Sequence, residues 1–149
     1  MFFILFIRFS KCREINARNQ YKEFCIYNIM IDVFIFRDDY QAIQDILDEA
    51  GISNEGATPG DDPIQALEQF AHERYKALVM DSHYVLNEKS PEISRIVRER
   101  LDYDGSILLL SSVSGSLYMP WGVNDVLMTP IEGDDESCER FVNNIKQYI

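Results

Sequence analysis

Four short apolar runs in this chain each end in polar side chains. Val33-Phe34-Ile35-Phe36 leads into Arg37-Asp38-Asp39, and Ala77-Leu78-Val79-Met80 leads into Asp81. Ile107-Leu108-Leu109-Leu110 leads into Ser111, and Val126-Leu127-Met128 leads into Thr129-Pro130. Runs this short, and apolar at every position, suit strands buried on both faces, as in a parallel sheet covered by helices. In open sheets of that kind, ligands bind outside the carboxyl ends of the strands. Carboxylate and hydroxyl oxygens at such ends suit Mg²⁺ and phosphate chemistry.

The segments between the runs read as helices. Residues 40–50 place Ile43, Ile46 and Leu47 on one face and stop at Gly51. A weak second strand is expected near 52–57. Asp62-Pro63 is an N-cap and first-turn pair that opens a helix over 63–72. Ser90-Pro91 opens another over 91–100, with Ile93, Ile96 and Val97 turned inward. The last helix starts near 134–137 and carries Phe141, Val142, Ile145 and Ile149 on its apolar face. Between 112 and 121 the helical pattern fails, because Gly115 and Pro120 interrupt it. Tyr118, Met119 and Trp121 fall on that segment as core plugs or as an exposed binding patch, and Trp121 is expected in the core.

The chain has 149 residues, enough for one domain with a real core. A net charge of −11 argues against nucleic-acid binding, which needs a basic face. Residues 1–29 are the exception. They hold Arg8, Lys11, Arg13, Arg18 and Lys22 against Glu14 and Glu23. Residues 1–7 are apolar, far short of the ~20 that a membrane span needs, and no signal-peptide pattern follows. The domain division is therefore an N-terminal extension over 1–29 and a domain over 30–149, with Met30 directly before the first strand. The extension is either an addition ahead of a natural start at Met30 or an arm for a partner or a membrane surface. Cys12, Cys25 and Cys138 form no CxxC pair, so free thiols in a reducing cytoplasm are expected and a zinc site has no support.

The block from Ala66-Leu67 through Asp81 to Ser111-Ser112 resembles the receiver domain of two-component response regulators, the CheY-like superfamily. Gly122-Val123-Asn124-Asp125-Val126-Leu127-Met128-Thr129-Pro130 is similar to that family's "GAxDYLxKP" segment, and Asp38-Asp39 to its acidic pair. The resemblance covers residues 31–149. It implies a flavodoxin-like (βα)5 sandwich of three layers, with a five-stranded parallel sheet in the order 2-1-3-4-5. It also implies that Asp81 is the phosphoacceptor, that Ser111 bonds the phosphoryl group, and that Asp38, Asp39 and Asp81 hold Mg²⁺.

The departures from the pattern fall on the same positions. Thr129 stands where the family has a Lys, Arg37 where it has its first acidic residue after the first strand, and Val126 where it has an aromatic residue. A hydroxyl at Thr129 cannot bring the positive charge of a Lys. An arginine at position 37 would fill the metal's space with its own charge and pair with Asp81 or Asp38. The expectation is a pseudo-receiver: not an enzyme, but a cytoplasmic signal-transduction domain that works by protein–protein contact with a histidine kinase or a downstream regulator. The alternative is a Mg²⁺-dependent receiver in a phosphorelay, modified at Asp81 by a histidine kinase. Homodimerisation stays open.

Overall fold

A computed structural model of the chain describes residues 30–68, 72–81, 91–112 and 119–149. The expectations for the 1–29 extension and for most of the 112–121 segment, including Tyr118, lie outside the described residues. Strands β1 (Ile31–Phe36), β2 (Asn54–Ala57), β3 (Tyr75–Asp81), β4 (Ser106–Ser111) and β5 (Asp125–Met128) form one sheet. All four pairings are parallel and the order is β2-β1-β3-β4-β5, as expected. The helices are α1 (Tyr40–Glu49), α2 (Pro63–Glu68), α3 (Pro91–Arg95) and α4 (Asp135–Ile145).

Side-chain alternation along the strands splits the core into two layers. Phe34, Phe36, Leu78, Met80, Ile107 and Leu109 face one way and pack with Leu67, Ile93 and Val97. Val33, Ile35, Val79, Leu108, Leu110 and Leu127 face the other way and pack with Ile43, Leu47, Phe141 and Ile145. The result is the expected three-layer sandwich, with helices covering both faces of the sheet.

Local chemistry sets the element ends. Gly51 takes φ 73° just after α1, the left-handed conformation that ends a helix most cheaply in glycine. Asp134 caps α4 by accepting from the Ser137 backbone N–H. The second strand is shorter than expected and starts at Asn54, while Ile52 is buried ahead of it. Helix α2 is described only to Glu68, against an expected end at 72.

The helix expected over 91–100 changes character halfway. Ile96–Arg100 forms a π-turn, in which the Leu101 N–H reaches back to the Ile96 carbonyl. Asp102 follows with φ 53°. Arg98 holds the widened turn in place. Its guanidinium donates to the carbonyls of Tyr103, Gly105 and Gly122 and to Asn124 Oδ1.

Trp121 overturns an expectation. Its side chain is 54 % exposed rather than in the core. The backbone around it is what is anchored: Ser94 Oγ donates to the Trp121 carbonyl at 2.6 Å, and Gly122 turns with φ 81°. The indole is left outside, with the Arg95 guanidinium 5.4 Å from its ring centre.

Candidate functional site at the carboxyl edge of the sheet

The parallel sheet brings the ends of its strands to one edge, and register decides which residues meet there. Phe36 of β1 pairs with Met80 of β3, so Arg37 and Asp81 emerge side by side. Asp81 pairs with Leu110 of β4, and Ser111 pairs with Met128 of β5. The Thr129 N–H continues the ladder by donating to the Ser111 carbonyl at 2.9 Å. Arg37, Asp81, Ser111 and Thr129 therefore stand at the same edge, at the ends of adjacent strands.

At that edge Arg37 and Asp81 form an ion pair. Arg37 Nη2 lies 3.5 Å from Asp81 Oδ2, with the two side chains 16 % and 22 % exposed. Arg37 Nε is buried without a hydrogen-bond partner, so packing rather than full solvation holds the guanidinium there. The Arg37 guanidinium thus places a positive charge beside the Asp81 carboxylate. Ser111 is buried at 5 % exposure.

Asp38 and Asp39 both lie exposed on the turn that leads into α1. Asp39 occupies the N-cap position, but its side chain makes no capping hydrogen bond. The sheet thus brings Arg37, Asp81, Ser111 and Thr129 to one edge, and Asp38 and Asp39 follow Arg37 directly after β1. Among the described residues, no group of three or more His, Cys, Asp and Glu side chains is placed to hold a metal ion.

Two polar clusters had no signal in the sequence, and both lie toward the opposite, amino edge of the sheet. One is the Arg98 cluster. The other joins Lys76 Nζ to Asp32 Oδ1 at 2.8 Å, with Ser53 closing a reciprocal pair on the Asp32 backbone and side chain. Burial raises the Asp32 pKa, but the bonds from Lys76 and Ser53 outweigh it and hold the carboxyl below its ordinary value. Beside it, burial and the hydrogen bond to Glu55 push the Tyr75 phenol up to about 12.

No family model matches the sequence, and no curated protein matches it. Solved structures do. The chain is similar to the chemotaxis protein CheY4 of Vibrio cholerae at 18 % identity and a TM-score of 0.59, covering 80 % of this chain and 99 % of that one. It is similar to the receiver domain of sensor histidine kinase PA1611 from Pseudomonas aeruginosa PAO1, described with a magnesium ion in its active-site cleft. There the identity is 17 % and the TM-score 0.51, over 80 % of this chain and 97 % of that one. A third match is the complex of histidine kinase ThkA with response regulator TrrA, at 17 % identity and a TM-score of 0.54, over 78 % and 98 % of the two chains. With the strand order 2-1-3-4-5 and helices on both faces, the fold of this chain is the CheY-like fold of response regulator receiver domains.

Proposed function

We propose that this chain is a signalling domain that acts by protein–protein contact, with the carboxylate at the receiver position held in a built-in ion pair. The observation that carries this is the Arg37–Asp81 contact at 3.5 Å. A receiver carboxylate attacks a phosphoryl group while a metal and a fixed cation neutralise the charge that gathers. Here a guanidinium sits beside the carboxylate, and the β5 end offers Thr129 where a Lys would supply the second charge.

These residues are a poor fit to resident Mg²⁺. The ion asks for near-octahedral oxygen ligands. A cation placed next to it would repel it, and the Arg37 guanidinium lies 3.5 Å from the Asp81 carboxylate. The Arg37 guanidinium then fills the electrostatic role of the ion without any ligand exchange.

Signalling by contact needs a surface. Met119, Trp121, Met128 and Ile131 are exposed on β5 and on the segments flanking it, and β5 is an edge of the sheet. Exposed apolar side chains that form a contiguous patch mark interaction sites. The ThkA–TrrA complex among the similar structures supports a signalling protein as the partner. Among the described residues no helix is long and apolar enough to cross a membrane, and a cytoplasmic setting fits the reading.

The second reading is a phosphoaccepting receiver modified at Asp81 with Mg²⁺. It is favoured by the position of Asp81 at the strand end and its partial exposure. The test incubates the full chain with acetyl phosphate and Mg²⁺ and follows its intact mass. A parallel sample with beryllofluoride is followed by amide NMR. The expected result is no phosphoryl adduct and no shift of the β3, β4 and β5 amides. A stoichiometric adduct, absent in Asp81→Asn, establishes the second reading instead.

A further inference from the structure

Helices α1 and α4 leave a groove of about 610 Å³ between them on one face of the sandwich. Its apolar side is built from Ile46, Ala50 and Val142. Its other lining side chains include Asp45, Glu49, Glu132, Asp135 and Glu139, and among the described residues no Lys or Arg lines it. Partial burial and the carboxylates of Asp134, Asp135, Glu49 and Glu132 push the pKa of the Cys138 thiol up. A groove with an apolar floor and an acidic rim suits a segment that is apolar and basic together.

The chain carries such a segment. Residues 1–7 are apolar, and Arg8, Lys11 and Arg13 follow at once. The segment joins the domain at the right end. The Asp32 N–H donates to Ser53 Oγ at 2.9 Å, and the Val33 N–H donates to the Ser53 carbonyl at 3.0 Å. Ser53 lies just beyond α1, so β1 starts next to the end of α1 where Glu49 and Ala50 line the groove. The 22 residues from Arg8 to Ile29 span roughly 70 Å when extended. Helix α1 is only about 15 Å long. Tethering over such a distance gives an effective concentration on the order of millimolar.

We propose that residues 1–29 dock intramolecularly in the α1–α4 groove, with the apolar tip on Ile46, Ala50 and Val142 and the basic residues against the acidic rim. This inference is independent of the state of Asp81.

The test uses the full chain at low micromolar concentration. A zero-length carbodiimide couples lysine to carboxylate, and mass spectrometry maps the links in the monomer band. Lys11 and Lys22 should couple chiefly to Glu49, Asp135 and Glu139. The links should fall several-fold in high salt and in the combined Asp45→Lys, Glu49→Lys, Glu139→Lys variant. As a second measurement, maleimide labelling of Cys138 is timed in a full chain carrying Cys12→Ser and Cys25→Ser. Adding Arg8→Glu, Arg13→Glu and Arg18→Glu should speed it several-fold. Links spread evenly over exposed carboxylates such as Asp61, Glu99 and Asp104, with Cys138 labelling unchanged, overturn the proposal. Links confined to the dimer band also overturn it and make a second copy the occupant.

Discussion

Arg98 and Asn124 together pin the π-turn after α3 to the start of β5. Arg98 Nη2 donates to Asn124 Oδ1 at 2.8 Å, and the same oxygen accepts from the Ile107 backbone N–H at 2.8 Å. The Asn124 N–H returns a bond to the Ile107 carbonyl. One guanidinium thus ties a helix end to the segments that lead into β4 and β5.

Arg98→Ala should destabilise the domain by about 2–4 kcal/mol, because partly buried carbonyls at Tyr103, Gly105 and Gly122 lose their donor. Arg98→Lys should recover little of this, since a single ammonium cannot reach so many acceptors. Urea denaturation of the three proteins decides it. A loss under about 0.5 kcal/mol in the alanine variant would show that water replaces the guanidinium without cost.

Arg37 is expected to govern divalent ions. The wild-type chain should show no saturable Mg²⁺ binding in the millimolar range by calorimetry, and Arg37→Asp should gain it, because the substitution exchanges a cation for an oxygen ligand beside Asp81. Saturable wild-type binding that Arg37→Asp leaves unaltered would contradict this.

Asp32 makes acid stability depend on one cluster. Its carboxyl is held below its unfolded value, so the folded state binds fewer protons there than the unfolded state. Its contribution is complete above the unfolded pKa of ~3.9 and is lost as the pH falls through the lower folded value. Asp32→Asn should lower stability at neutral pH and flatten the decline below about pH 4. Thermal unfolding across that range gives the comparison, and parallel curves for the two proteins would rule the cluster out.

Trp121→Ala should change stability by no more than about 1 kcal/mol, the scale of an exposed cation–π contact with Arg95. If the patch flanking β5 binds a partner, the same substitution and Met119→Ala should weaken binding while the circular dichroism melt stays in place. A large loss of melting temperature in Trp121→Ala would mean that the indole supports the fold.

The sheet was legible because β1, β3 and β4 are apolar at nearly every position, and that pattern allows few other arrangements. The strand ends were legible for the same reason, and with them the edge where Arg37, Asp81, Ser111 and Thr129 meet. β2 was faint because it is an edge strand with sequence Asn-Glu-Gly-Ala, half-buried throughout. Its Gly56 leaves room for the Tyr40 ring, which packs where a Cβ would stand. The π-turn was hidden because Ile93, Ile96 and Val97 satisfy an α-period and a widened turn alike. Trp121 misled because a large aromatic ring usually follows its backbone inward, and here the backbone alone is anchored.

A charge carried on the chain has no concentration. Metals and small ligands come and go with their supply, and a chelator can strip them. The guanidinium beside Asp81 is part of the covalent chain, so its presence there is fixed at synthesis and no chelator removes it. Ionic strength can weaken the pair only partly, because both side chains are largely shielded from solvent. The positive charge of this pair is therefore set by the sequence itself.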